Sequence, residues 1–289
     1  MSDQTIKEPV EKFSKAKALG FKTLVIGQPV AGRDIPKKTY LSMLQIMSPN
    51  NMIELVEKHG VVSTIRVLSD FPIDYNRNKF VDDSIEAGAD YLMFMDMDMT
   101  FPPDTLNILF DLISDDHPVV AGMYYLKKEP FAPVIGDYTQ WSDELLKHKD
   151  FLDKHGFLHP DGRQLLEWRH FNGYKDKPFY ADVIGAGCFL AKIEVFKKLQ
   201  KPYFKYIPDP RKDPTHNKIS EDMYFCAQLK KAGIPIVVTP QIQCGHLMEM
   251  ESNRELWQNQ RDAVLGALQK QGQDKVDELV SKFVYPRYV

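Results

Sequence analysis

The sequence predicts an α/β protein with a mostly parallel central sheet and helices on both faces. Three observations point there. Short apolar runs alternate with amphipathic stretches from residue 20 to residue 125, and strands that alternate with helices build parallel sheets. Several of the runs are continuously apolar, as strands buried on both faces require. The chain has 289 residues, 43% of them hydrophobic and 27% charged, which is enough for one large domain or two small, closely packed ones.

Taken in order, "KTLVIGQPV" is a first buried strand, ended by Pro29 and Gly32. "KKTYLSMLQIM" has helical spacing at Tyr40, Met43, Leu44 and Met47. Ser48, Pro49 and Asn50 break it, and a second short helix or a turn is expected next. "VVSTIRVLS" is β-branched and reads as a second strand, and "DYNRNKFVDDSIEAGA" as a helix ending at Gly88. "DYLMFMDMD" is the third strand. "PPDTLNILFDLISDD" is a helix starting around its prolines with Asp104 in the first turn, and "HPVVAGMYY" is the fourth strand.

From 126 to 180 the composition turns to aromatics, charges, proline and glycine with weak periodicity, as in an irregular or antiparallel insertion. "ADVIGAGCFLAKIEVFKKL" then reads as a strand, a glycine turn and a helix. A loop with four prolines follows, then the helix "SEDMYFCAQLKKAGI", closed by Gly233. The strand "PIVVTPQIQCGHL" leads to His246, and an amphipathic helical tail ends the sequence. The expected organisation is a polar lead over 1–20, an α/β half over 21–125, a second half over 126–250 that carries the 126–180 insertion, and a helical tail over 251–289.

Charge and composition narrow the function classes. The net charge is −3, from 37 basic and 40 acidic side chains, so no global electrostatic case exists for a nucleic-acid or membrane partner. No apolar run approaches the roughly 18 to 20 residues that span a bilayer, and the polar N-terminus lacks the apolar core of a signal peptide. Cys188, Cys226 and Cys244 form no metal-like pair and suit buried thiols in a reducing compartment. The expectation is a cytoplasmic protein (in the host cytoplasm if viral) with no membrane insertion.

Four features carry chemistry. Asp96 and Asp98 flank Met97 where the third strand ends. In an extended chain, residues two apart point the same way at about 6.5 to 7 Å, and a divalent cation relieves the repulsion between two such carboxylates. Oxygen ligands suit Mg²⁺ or Mn²⁺, which share their shell with substrate phosphates. The bland alternative is a solvated turn, with Asp98 capping a helix. Glu221 and Asp222 follow Ser220 at a helix start, where acids also serve as simple caps. His246 follows a strand and a glycine, and a neutral imidazole there can complete a metal shell begun by carboxylates. "GAG", Gly185 to Gly187, either lets the backbone approach a ligand or makes a tight turn.

The order of these features is more specific than any one of them. It resembles the GT-A class of nucleotide-sugar glycosyltransferases, a Rossmann-like fold, and especially its family-2-like members, over residues 22 to 250. "NRNKFVDDSIEAGADYLMFMDMDMTFPPDTL" is similar to small stand-alone glycosyltransferases of bacteria and their viruses, which carry an Arg-Asn helix start before the D-x-D strand. The resemblance implies a metal-dependent transfer from a nucleotide diphosphate sugar, a UDP-sugar first among donors, with Mn²⁺ or Mg²⁺. It implies that Asp98 and His246 bind the metal, with Asp96 on the ribose or on the metal through water. Asp222 becomes the general base on the acceptor hydroxyl, with Glu221 beside it. Gly185, Ala186 and Gly187 line the sugar or acceptor pocket. Pro29 and Asp70 lie at the nucleotide base and ribose, and Arg77 reaches the phosphates or the base. The half over 21–125 then binds the donor and the half over 126–250 binds the acceptor, with a smaller irregular subdomain.

Departures from the family pattern fall in the donor loops: strand one runs into "GQPVAGRDIP", strand two ends in "LSDFPID", and the tail has no Gln-x-x-Arg-Trp motif. Two other readings compete. One is a nucleotidyltransferase of related fold, for which Arg33 after strand one is a faint match. The other is a non-catalytic nucleotide- or carbohydrate-binding protein. For the acceptor, aromatics such as Trp141, Trp168, Phe171, Tyr174, Tyr203, Phe204 and Tyr206 interleave with lysines and arginines. They suit a packed subdomain or, more sharply, a hydroxymethylated base in DNA.

Overall fold

A computed structural model describes residues 4–30, 34–69, 72–127, 133–136, 139–140, 163–164, 177–208 and 218–248. The described elements of the first half are α1 (Gln4–Ala18), β1 (Lys22–Pro29), α2 (Lys37–Ile46), α3 (Pro49–His59), β2 (Val61–Leu68), α4 (Ile73–Glu86), β3 (Tyr91–Met95), β4 (Met99–Thr100), α5 (Thr105–Leu112) and β5 (Val119–Met123). Beyond it come the short strands β6 (Ile135–Gly136), β7 (Thr139–Gln140), β8 (Arg163–Gln164), β9 (Phe179–Ala181) and β10 (Val183–Ile184). They are followed by β11 (Cys188–Lys192), α6 (Ile193–Lys197), β12 (Ile207–Pro208), β13 (Lys218–Ile219), α7 (Glu221–Lys231), β14 (Ile236–Gln243) and β15 (Gly245–His246).

A seven-stranded sheet in the order β2-β1-β3-β11-β5-β14-β9 forms the centre. β1, β2, β3, β5 and β14 run one way, while β11 and β9 run against their neighbours. The expected α/β class with a mostly parallel sheet is therefore the fold observed. Successive residues of a strand face opposite sides, and β3 shows the result. Leu92 and Phe94 enter one apolar layer with Phe80 of α4, Phe196 of α6 and Phe225 of α7. Tyr91, Met93 and Met95 enter the other with Met43 of α2, Leu55 of α3 and Leu109 of α5. Each fully buried phenylalanine contributes about 2 to 3 kcal/mol.

Most element boundaries follow from local signals. Helix α3 opens with Pro49 in its first turn and closes at Gly60 in the left-handed conformation, φ 63°, so the segment expected as a short helix or turn is a full eleven-residue helix. The polar lead differs from expectation more. Over Gln4–Ala18 it is a helix whose Phe13 is buried in the first core layer, with Val10 packed beside it. Two apolar residues three apart are enough to dock an otherwise charged helix.

"CFLAK" is a strand, not the opening of a helix. It lies antiparallel between β3 and β5, pairing Cys188 with Met95 and Phe189 with Ala121. That insertion brings the start of β11 to the carboxyl end of β3. It also joins the segments before and after residue 126 in one continuous sheet. Most of the 126–180 insertion and the 251–289 tail lie outside the described residues. The chain divides into two compact units, Met1–Leu247 and Met248–Val289. No helix among the described residues is long and apolar enough to cross a membrane.

Candidate active site

In open α/β sheets, ligands bind outside the carboxyl ends of the strands, where the strand order reverses. Here the chain leaves β1 for β2 on one side and later returns to β3 on the other. The D-x-D segment lies just beyond β3. It is a turn rather than an extended strand end, so Asp96 and Asp98 do not project side by side as extended geometry predicts. Backbone bonds hold both ends of the turn. Asp96 N–H donates to Gly187 O at 3.0 Å, and Leu247 N–H donates to Asp98 O at 2.7 Å. β15 pairs antiparallel with β4, His246 opposite Met99. The D-x-D turn, the glycine turn and the His246 strand are thus stitched together by main chain.

Asp96 faces inward. Both its oxygens accept from Arg77 Nη2, at 2.9 and 3.0 Å, and its side chain is 19% exposed. Burial pushes its carboxyl up to about 6, and repulsion from Asp98 and Glu221 adds to this, against the pull of Arg77. Arg77 is 2% exposed. Its Nη1 donates to Ala186 O at 2.8 Å and its Nε to Glu221 Oε1 at 3.3 Å. Burial opposes its charge, but Asp96, Glu221 and Asp222 more than offset that and hold it protonated. Expected at the donor phosphates or base, Arg77 instead directs its nitrogens at acceptors of the chain itself.

Asp98 faces outward, toward Lys127 Nζ and His246. Burial would raise its pKa, but Lys127 and, when its ring is charged, His246 outweigh it and hold the carboxylate at about 2. His246 Nδ1 lies 2.7 Å from Tyr125 O. A carbonyl only accepts, so Nδ1 carries the hydrogen. In the neutral ring Nε2 then presents a lone pair to Asp98 Oδ2, 3.6 Å away. Two acceptors facing each other call for a positive centre between them, which is a proton on Nε2 in the charged ring and a bound cation in the neutral one. An imidazole oriented by a backbone carbonyl is also the usual arrangement of a metal-ligating histidine. Asp98 and His246 therefore fit a divalent cation. Asp96, with both oxygens taken by Arg77, fits contact through water better than direct ligation. Among the described residues no group of three His, Cys, Asp or Glu side chains forms a closed metal cluster.

Glu221 and Asp222 open α7, with Ser220 as its N-cap. Glu221 is buried and accepts from Arg77, and the Tyr206 hydroxyl bonds to it. Asp222 Oδ1 accepts from the Ser220 hydroxyl, and from Met223 N–H at 2.8 Å. Burial first, and the adjacent Glu221 second, push the Asp222 carboxyl up to about 6.

The glycine turn serves space rather than φ: neither Gly185 nor Gly187 has positive φ. A Cβ at Gly185 would overlap Tyr124 Oη and lie 2.6 Å from its Cζ. One at Gly187 would overlap Met99 Sδ and sit 3.2 Å from Asp96 Oδ2. These glycines admit side chains of the chain itself. Tyr124 belongs to no motif of the sequence. Gly187 N–H donates to its hydroxyl at 3.4 Å, its ring meets His246 edge-on at 5.4 Å, and burial raises its pKa well above the ordinary value. Its position directly after β5 was the available signal.

Pro29 ends β1 opposite Leu68, at the same edge of the sheet, and is buried. Asp70 and Arg33 lie outside the described residues, as do Trp141, Trp168, Phe171 and Tyr174. Tyr203 and Phe204, expected to shape the acceptor, are core residues: Phe204 stacks on Phe225 at 4.6 Å and meets Phe94 edge-on at 5.5 Å. Of the three aromatics in that loop, Tyr206 alone stays half-buried.

No protein-family model matches the sequence, and no curated protein matches it. Among solved structures, the chain is similar to A197 from STIV, with a TM-score of 0.44 and 16% sequence identity. The match covers 79% of this chain and 87% of that one.

Proposed function

We propose that the protein is a glycosyltransferase that moves a sugar from a nucleotide diphosphate sugar to an acceptor hydroxyl, with Mn²⁺ or Mg²⁺ held by Asp98 and His246. One observation carries this reading. Four carboxylates from two distant segments, Asp96 and Asp98 with Glu221 and Asp222, gather with His246 around one turn at the ligand-binding edge of the sheet.

The residues divide the work. Asp222 takes the proton of the acceptor hydroxyl as that oxygen bonds to the sugar carbon. A carboxylate near 6 is charged at neutral pH yet more basic than an ordinary aspartate. The bond from the sugar to the donor phosphate breaks as its electron pair leaves with the nucleoside diphosphate, through a transition state of oxocarbenium character. The cation, when bound, supplies Lewis-acid stabilisation of charge on that leaving group. Lys127, beside Asp98, adds a positive side chain at the same edge. Asp96 and Pro29 face the nucleoside side, and a single displacement with Asp222 as base inverts the sugar carbon.

Incubation with UDP-, GDP- and CMP-sugars plus Mn²⁺ tests the reading. Release of UDP or GDP supports it. Release of pyrophosphate from a nucleoside triphosphate and a sugar phosphate points to nucleotidyl transfer instead, and no turnover with any donor or acceptor refutes it. A hydroxymethylated pyrimidine in DNA is the acceptor to try first, and its binding must weaken steeply with salt.

A further inference from the structure

We infer that Arg77 is the positioning residue of this site: it sets the separation between the donor-side acid Asp96 and the acceptor-side acid Glu221 without touching either substrate. The catalytic consequence rests on the glycosyl-transfer reading, while the geometric claim stands on its own.

Arg77 bonds to three segments that are remote in sequence, 19, 109 and 144 residues away. Each edge of the guanidinium has its own target. Nη2 serves both oxygens of Asp96, Nη1 serves Ala186 O, and Nε serves Glu221. A guanidinium is planar and rigid, so the angles between its N–H bonds are imposed on the groups that accept them. The plane is itself held, with Phe94 at 5.4 Å and Phe204 at 5.9 Å from its central carbon. Little freedom remains for Asp96 and Glu221 to drift apart.

Stability alone is a poor reason for this arrangement. A buried ionic network loses much of its attraction to desolvation, and apolar side chains of similar volume often do as well. α4 already buries Phe80 and Val81 against the same face of the sheet. What an apolar side chain cannot do is orient two carboxylates and a carbonyl at once.

The next residue extends the frame. Asn78 Oδ1 accepts from Tyr203 N–H at 2.7 Å and Phe204 N–H at 3.2 Å, and Asn78 Nδ2 donates to Phe204 O at 2.7 Å. That clamps the loop that brings Tyr206 to Glu221. Glu221 is thereby located from α4 twice, directly by Arg77 and through the loop by Asn78. Displacing a reacting group by about 1 Å costs on the order of 100-fold in rate, so the frame acts on turnover more than on binding.

The test is Arg77→Lys in the full chain, with Arg77→Gln as a second variant. Lysine keeps the charge but offers one ammonium in place of a planar fork. The expected result is a folded protein by circular dichroism whose kcat falls about 100-fold, a larger change than that in donor KM or in calorimetric Mn²⁺–UDP affinity. Hydrogen exchange should quicken together in the 96–99 turn and at 220–223, and stay unchanged in β1 and β2. A folded variant with near wild-type kcat, or with unchanged exchange at both places, overturns the inference. So does unfolding of both variants, because Arg77 would then be a fold-stabilising residue and nothing more. If the wild type turns over no nucleotide sugar, the proposed function fails, and the exchange measurement still decides the role of Arg77.

Discussion

Replacing Asp222 with asparagine distinguishes a catalytic base from a helix cap by the sign of its effect on stability. The Asp222 carboxyl is raised from an ordinary 3.8 to about 6, by burial first and Glu221 second. A displacement of that size corresponds to about 3 kcal/mol, at about 1.4 kcal/mol per pH unit. The sign follows from proton counting. Between 3.8 and about 6 the folded state holds more protons than the unfolded one, so stability falls as pH rises through that window, and the full cost is present above it. Asparagine keeps an acceptor oxygen for Ser220 and Met223 but carries no charge. Asp222→Asn should therefore be more stable than wild type at pH 8 by about 1 to 3 kcal/mol, and the gain should shrink to nothing below pH 4, while transfer is lost. A plain cap predicts the reverse, because charge beside a helix N-terminus is worth about 0.3 to 1 kcal/mol and is lost in the amide. Urea denaturation of both proteins from pH 4 to pH 8 measures the difference. A variant less stable than wild type at pH 8, or a gain that does not change with pH, refutes the reasoning.

Other expectations follow from the same geometry. Gly185→Ala should destabilise the fold by about 1 to 3 kcal/mol, since its Cβ meets Tyr124 and Val134 inside contact distance; pairing it with Tyr124→Phe should recover part of the loss in urea titrations. His246→Ala should weaken Mn²⁺ binding in the presence of UDP at least about 10-fold by calorimetry and leave the circular dichroism spectrum unchanged. Phe204→Ala should cost about 3 to 5 kcal/mol, because the ring is 1% exposed among Phe94 and Phe225; a smaller loss would mean the ring faces a ligand rather than the core. Wild-type transfer should rise with pH through about 6 as Asp222 ionises, and a flat profile from pH 5 to 8 would count against Asp222 as the base.

Several parts of the fold are legible without coordinates because their signals are local. The run "YLMFM" is apolar at every position, and it sits between two layers in the middle of the sheet. Gly60, Gly88 and Gly233 each close a helix with positive φ. "CFLAK" is harder. Five apolar-rich residues after a glycine turn suit a helix or a strand equally, and the pairing with β3 on one side and β5 on the other decides it. The site divides the same way. Asp96, Asp98, Glu221, Asp222 and His246 stand out by residue type and position, whereas Tyr124 does not, because nothing in its spacing shows that its hydroxyl turns toward Gly185.

The sequence by itself determined which chemistry is present: two acid pairs, a histidine after a strand, and alternating elements that place the first acid pair at the end of a parallel strand. Periodicity and residue type are properties of neighbouring residues, so they survive without a fold. Tertiary structure alone decided how those groups are shared out. Asp96 and Asp98 are two residues apart, yet a turn sends one inward to Arg77 and the other outward to Lys127 and His246. The partners that set their opposite pKa shifts come from α4 and from the segments after β5 and β14. The charge of Arg77 is plain from its residue type, but its targets depend on long-range packing that buries it against two carboxylates and a carbonyl.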